Sequence, residues 1–331
     1  MPSSARLVPL LVALLVAVLA LAACGDGGGG DAAETTGGGA FPVTIDGALG
    51  SATIESAPTR VVALGQTDPD AALALGVTPV GIRAAFIGGL EPWIADAVRT
   101  AEPEVIGIAS GIPFERVAAL RPDLILAGDV FGLDQTAYDR LAAIAPTVSF
   151  RTESYGDSWQ DNTLTIGRAL GRAAEAERLV DDVEARIAAD GEAHPEFAGK
   201  TFSFSNHYAP GAIVTLQSGD VVDLFEALGL ELAPGVADLP ASPSAPGNAD
   251  LSLERLATLD ADVVLMVYSG DQGLRTQLEA NPLYDRLAAV ERGDDVFVPL
   301  DVATALRSPS ALGLPWALDR LVPELETALG S

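Results

Sequence analysis

The chain has 331 residues, 46 of them acidic against 19 basic, one cysteine, two histidines and a formal charge of −27. That length predicts about two domains, and that acidity excludes nucleic acid and anionic lipid headgroups as partners held by charge. One thiol excludes an internal disulfide framework, and too few histidines and thiols remain for a protein-built zinc site, which wants three or four N or S ligands.

Arg6 precedes an apolar run from Leu7 to Leu21 that ends in Leu21-Ala22-Ala23-Cys24. A positive start, an apolar middle and small residues at the cut predict a secretory signal over residues 1–23. The run is short for a membrane-spanning helix, which needs about 20 residues. Removal of that segment takes away Arg6 and leaves 18 basic against 46 acidic residues, −28. A Cys directly after Leu-Ala-Ala resembles the lipobox of bacterial lipoproteins, which implies that Cys24 is the lipidated first residue of the mature chain. Residues 24–40 (CGDGGGGDAAETTGGGA) are too poor in apolar side chains to fold and read as a flexible tether.

From residue 41 the pattern becomes that of a folded domain. Phe41 to Glu55 alternates around Gly47 and Gly50 as a small hairpin does. Arg60 to Leu64 predicts a strand, and Thr67 or Asp68 caps a helix with Pro69 near its start and Gly76 at its end. Strands follow at Val77–Ile82, Leu124–Ala127 and Thr147–Phe150, with helices at Glu115–Leu120 and Tyr138–Ile144. Alternating strands and helices predict a mostly parallel, covered sheet, so residues 41–156 read as an N-terminal α/β lobe.

Residues 157–190 are the organising stretch. Trp159, Thr163, Ile166, Leu170, Ala173, Val180, Val183 and Ile187 recur at three- and four-residue steps, which predicts one helix of roughly 50 Å at 1.5 Å per residue. No partner heptads occur elsewhere, so the helix reads as a strut between two lobes and not as a coiled coil. The rhythm then restarts over 191–331, with strands at Thr201–Ser205, Val263–Val267 and Val296–Leu300. Helices are expected at Val221–Leu228, Asn281–Val290 and Pro315–Leu329, the last bent or broken at Pro323, and loops at Ala233–Ala249 and Asp301–Ser310. An internal echo supports two lobes: Phe114-Glu115-Arg116-Val117 through Asp123 matches Leu253-Glu254-Arg255-Leu256 through Asp262, each followed by an apolar strand. The expected fold class is α/β, two Rossmann-like lobes joined by a single long interlobe helix.

Catalytic signatures are missing: there is no G-x-S-x-G elbow, Walker A loop or G-x-G-x-x-G after a strand, so the chain reads as a binder and not an enzyme. In α/β sheets ligands sit beyond the carboxyl ends of the strands. Those ends offer Gln66, Thr67 and Asp68, then Arg83, Asp129 to Phe131 and Arg151 on the first lobe. The second lobe offers Asn206, His207 and Tyr208, then Tyr268 and Ser269, and the long loop Asp301 to Ser310 carrying Arg307. Arg83 and Arg307 serve equally as partners for the plentiful carboxylates, and Tyr208 and Tyr268 as packing residues. Trp93 is either a lid over the first lobe or part of a helix start at Glu91-Pro92-Trp93, and Trp316 is core.

These residues resemble a known family. Arg60-Val61-Val62-Ala63-Leu64-Gly65, Ala74-Leu75-Gly76-Val77-Thr78-Pro79-Val80-Gly81, Phe114 to Ala127, Ile166-Gly167-Arg168-Ala169-Leu170-Gly171 and His194 to Lys200 all resemble the iron–siderophore substrate-binding lipoproteins of ABC importers. So does Ser308-Pro309-Ser310 followed by Leu314-Pro315-Trp316. The likeness spans nearly the whole mature chain, in order. It implies a class III periplasmic-binding-protein fold, with a ferric siderophore captured in the interlobe cleft and no cofactor or resident metal. Gln66, Arg83, Trp93, His207, Tyr208, Tyr268 and Arg307 are the candidate ligand contacts. It further implies a monomer, lipid-anchored on the outer face of a bacterial cytoplasmic membrane. Its permease would dock on one Glu from each lobe, here Glu115 and Glu254. Haem or cobalamin as cargo, and an extracellular enzyme on the same scaffold, are the alternatives.

Overall fold

The computed structural model describes residues 41–330 apart from 86, 87, 244, 271 and 272, so the expected signal, Cys24 and the whole tether lie outside the described residues. The hairpin forms as expected, β1 (Val43–Gly47) against β2 (Gly50–Ile54), burying Ile45, Ala52 and Ile54 on one face. Next come β3 (Val61–Ala63), α1 (Asp68–Ala74), β4 (Gly81–Arg83), α2 (Pro92–Val98), β5 (Glu104–Ile106), α3 (Phe114–Ala119), β6 (Leu124–Ala127), α4 (Gln135–Ala142) and β7 (Thr147–Ser149). Their sheet runs β5-β4-β3-β6-β7, all parallel. Helices on both faces bury it, which is why β3 and β6 read as unbroken Val, Ile, Leu and Ala. The chain reverses its direction of winding between β3 and β6, so the ligand crevice is expected beyond the ends of these two strands. The expected strand at Val77–Ile82 starts later, at Gly81, after Pro79, which has no N–H to give a ladder.

The strut differs from its sequence reading. Residues 157–190 are not one rod but two helices, α5 (Trp159–Ala169) and α6 (Ala173–Ala193). Gly171 takes φ +70, the Gly171 N–H donates to the Arg168 carbonyl at 3.1 Å, and the Arg172 N–H donates to the Gly167 carbonyl at 2.7 Å. This pair of bonds is a Schellman stop in mid-strut. After it α6 packs back on α5, where a methyl group on Gly167 would stand 2.3 Å from the Ala176 Cβ. The 21 residues of α6 extend roughly 31 Å. Its first half buries Ala176 and Leu179 with the hairpin and β3, and its second half buries Val183 and Ile187 against the second sheet. One long helix therefore joins the two lobes, and it is α6.

Beyond it lie β8 (Thr201–Ala209), β9 (Ala212–Leu216), α7 (Asp220–Ala227), β10 (Glu231–Leu232), α8 (Pro234–Ala237), β11 (Asn248–Ser252), a 3-10 turn at Leu253–Leu259, β12 (Val263–Tyr268), α9 (Gly273–Glu279), α10 (Ala288–Arg292), β13 (Asp295–Phe297), α11 (Leu300–Arg307) and α12 (Gly313–Leu329). The sheet runs β11-β9-β8-β12-β13, with β10 beside the start of β8. It is mixed: β9 runs antiparallel to β8 because Pro210-Gly211, with Gly211 at φ +77, turns the chain back on itself, and β11 pairs antiparallel with β9. Asp301–Ser310, expected as a loop, is mostly α11, while only the end of Asn281–Val290 is helical. The last helix continues through Pro323.

The echo is structural. Asp123 accepts from the Thr59 and Arg60 N–H groups, both at 2.8 Å, and Asp262 accepts from the Thr201 N–H at 2.8 Å. Each carboxylate stands just before its strand and pins the start of the central strand beside it, β3 in one lobe and β8 in the other.

Candidate functional site

The floor of the cleft is the turn after β3. Asp68, fully buried, accepts from the Gly65 N–H at 2.8 Å and the Gly128 N–H at 3.2 Å, so one carboxyl holds the ends of β3 and β6 together. Burial, followed by the nearby Asp129, pushes its pKa up to about 7. Asn162 of α5 donates to the Thr67 hydroxyl at 2.8 Å, and that hydroxyl donates to Asp129 at 3.3 Å. Asp70, two residues further along, accepts at Oδ1 from the Trp93 indole N–H at 2.7 Å and from the Ser310 hydroxyl of the other lobe. Burial pushes Asp70 up to about 7 as well, against the pull of these two donors. Gln66 reaches across in the same way and donates to the Ser308 hydroxyl.

Above this floor the lobes enclose a cavity of about 610 Å³. Its first-lobe wall is Arg83, Glu91 and Trp93, and its second-lobe wall is Ser269, Leu300, Asp301 and Thr304. Arg83 pairs with Glu91 at 2.9 Å and donates to the Ala84 carbonyl at 3.0 Å. Gln66 also borders a smaller cavity of about 100 Å³ formed by Asp129, Tyr155, Asp157, Trp159, Asp220 and Arg307. A further groove of about 320 Å³ runs from Trp159 and Asp220 along Glu184 and Ile187 of α6.

Of the residues the sequence singled out, the structure brings Gln66, Arg83, Trp93 and Ser269 to the larger cavity and Gln66, Thr67, Asp129 and Arg307 to the smaller one. Trp93 is no lid: it starts α2, is buried, and stacks tilted on Trp316 with ring centroids 5.0 Å apart. Arg307 is exposed in the last turn of α11 and makes no ion pair among the described residues. Tyr208, Tyr268 and His207 do not line these cavities. His207 is fully buried on the α9 face of the sheet, its ring 6.2 Å from Tyr268, and burial lowers its pKa. Tyr268 packs 5.7 Å from Phe297, and burial pushes its hydroxyl up to about 12. Glu115 and Glu254 are exposed at equivalent first turns, Glu115 with Arg140 3.8 Å away.

Sequence reasoning missed Glu91, Tyr155 and Trp159, whereas Asp301 and Thr304 fall in the stretch Asp301 to Ser310 that it had placed on the second-lobe rim. Tyr155 holds φ +61, unusual for a bulky residue, on the cavity wall. Trp159 was readable only as helix face. One signal was available: the large apolar side chains Phe131, Tyr155, Phe297 and Leu300 stay exposed at or beyond strand ends, where a ligand would cover them. Among the described residues no group of three or more His, Cys, Asp or Glu is placed to hold a metal ion, and no helix is long and apolar enough to cross a membrane. The walls offer shape, aromatic faces, amide and hydroxyl groups and two guanidiniums to a ligand.

Comparison with known proteins gives consistent matches. The family described as periplasmic binding protein matches residues 61–299. A putative ABC transporter substrate-binding lipoprotein of Bacillus subtilis, YhfQ, is 26% identical over 96% of this chain and 98% of its own. A probable siderophore-binding lipoprotein of the same organism, YfiY, is 30% identical over 54% of each chain. Among solved structures, a periplasmic solute binding protein from Mycobacterium smegmatis superposes with a TM-score of 0.75 at 32% identity, covering 87% of this chain and 99% of that one. Streptococcus pneumoniae PiaA in complex with ferrichrome gives 0.68 at 25%, covering 87% and 98%.

Proposed function

The chain belongs to the periplasmic binding protein family, and from that premise we propose that it captures a ferric siderophore between its lobes and delivers it to the permease of an ABC importer. The observation that carries this reading is the cavity of about 610 Å³ walled by strand ends of both sheets. That is the size and placement of a small-molecule site, with a few polar groups set among apolar ones. The named relatives, a siderophore-binding lipoprotein and a solved complex with ferrichrome, support an iron chelate as cargo. Iron held here keeps the donors of its own chelator, and the protein contacts the outside of the complex.

Delivery uses Glu115 and Glu254. They are exposed, occupy matching positions of the internal echo, and sit one on each lobe, so two basic partners on a permease read orientation as well as contact. Cys24 carries the lipid that keeps the exported, monomeric protein at the outer face of the membrane. Gln66, Arg83, Arg307, Trp159 and Tyr155 contact the cargo, with Tyr208 on the outer rim. Trp93 is part of the first-lobe wall, and Tyr268 and His207 support the walls from behind.

Titration of the protein with ferric siderophores, followed by tryptophan fluorescence, tests capture: saturable binding at micromolar levels or tighter is expected. Absence of binding together with co-purified haem or cobalamin absorbance replaces the cargo, and chemical alteration of the ligand on long incubation moves the protein to the enzymes.

A further inference from the structure

The walls of the cleft carry a charge pattern that discriminates among iron chelates, a property that rests on siderophore capture being the role of the protein. Arg83 and Glu91 neutralise each other at 2.9 Å with side chains 9% and 12% exposed, which leaves Asp301 as the uncompensated charge of the larger cavity. In the smaller one Arg307 faces three carboxylates, Asp129, Asp157 and Asp220. Five carboxylates against two guanidiniums give the lining a formal charge of −3. Burial raises the pKa of both Asp129 and Asp220, yet with both groups protonated the lining is still −1. Asp301 lies in the first turn of α11 and accepts from the Val302 N–H at 2.9 Å. Asp157 accepts from the Arg151 N–H at 2.7 Å.

Ferric chelates fall into charge classes. Three hydroxamate monoanions cancel the charge of ferric iron, and a pendant ammonium makes the complex a cation; three catecholate dianions leave a trianion. We propose that this cleft takes ferric trihydroxamates of zero or positive net charge and rejects tris-catecholate and citrate complexes of ferric iron. A trianion entering between these walls meets like charge in a confined space, where solvent and salt screen it less than on an open surface. Arg307 alone does not reverse this, because three carboxylates share its cavity. The exposed rings of Phe131 and Tyr155 at the rim suit a pendant cation, since the face of an aromatic ring attracts positive charge.

The test is equilibrium titration of the whole protein at low ionic strength with four probes: ferrioxamine B, ferrichrome, ferric enterobactin and ferric citrate. Ferrioxamine B and ferrichrome are expected to bind at least tenfold more tightly than the two anions, with the gap narrowing as salt is added. The double substitution Asp157→Asn with Asp220→Asn, checked for native circular dichroism, is expected to narrow the gap at least threefold. Ferric enterobactin or ferric citrate binding as tightly as the hydroxamates, or a gap that ignores both salt and the double substitution, overturns the inference while leaving siderophore capture standing. Failure of all four probes to bind removes the capture reading itself and this inference with it.

Discussion

Asp70 offers a sharp perturbation of the contact between the lobes. Its carboxyl is 3% exposed, takes both of its side-chain donors at Oδ1, and has a pKa raised from 3.8 to about 7, chiefly by burial. A carboxyl whose pKa is higher folded than unfolded binds more protons in the folded state, so its contribution to stability is complete below about pH 4 and is lost as pH rises through about 7. The distance from 3.8 to about 7 is worth roughly 4 kcal/mol at about 1.4 kcal/mol per unit, of which about 2–3 kcal/mol falls between about pH 5 and about pH 8. Asp70→Asn keeps an oxygen for Trp93 and Ser310 but carries no charge to bury. Urea unfolding at the two pH values reads the difference. The native protein is expected to lose stability across this range from both Asp68 and Asp70, and Asp70→Asn to lose about 2–3 kcal/mol less. An equal loss in both proteins refutes the assignment of a proton to this buried contact.

The same geometry sets other outcomes. Gly167→Ala forces a methyl group against Ala176 where only 2.3 Å separates them, and is expected to cost about 1–3 kcal/mol in urea unfolding. Asp123→Ala and Asp262→Ala each free the strand-start N–H groups they hold, for a loss of about 1–3 kcal/mol per site. Because hydrogen bonds hold both carboxyls below their ordinary pKa, with the Thr201 N–H foremost for Asp262, and with the Thr59 and Arg60 N–H groups overcoming burial for Asp123, native stability is also lost as pH falls below about 4, and less so in the variants. Glu115→Arg and Glu254→Arg are expected to abolish uptake in cells carrying the permease while leaving ligand affinity unchanged; a fall in affinity contradicts the docking role.

Much of the architecture was legible because parallel strands covered on both faces must be apolar throughout, and β3, β6 and β12 are. The echo around Glu115 and Glu254 was equally plain, since matching carboxylates pin matching strands. The break in the strut escaped because apolar spacing carries on across it: Leu170 and Ala176 bury in one cluster on either side of the turn. Only Gly171, whose φ +70 other residues avoid, marked the stop, and Gly167 marked the close approach of α6 to α5. In the site, Arg83 and Arg307 were found as side chains beyond strand ends. Glu91 was not, because nothing in an acidic sequence distinguishes the carboxylate that meets an arginine from those that meet water. His207 and Tyr268 alternate onto the sheet face turned toward α9, and a strand end alone does not say which face a ligand shares.

Hydrogen exchange measured with and without ferrioxamine B tests the central claim most directly, that cargo is held by both lobes at once. The account predicts slowed exchange together at Gln66–Asp68, Arg83–Ala85 and Asp129–Phe131 on one side and at Ser269 and Leu300–Ser308 on the other. Slowing confined to one lobe, or appearing away from these strand ends, contradicts it.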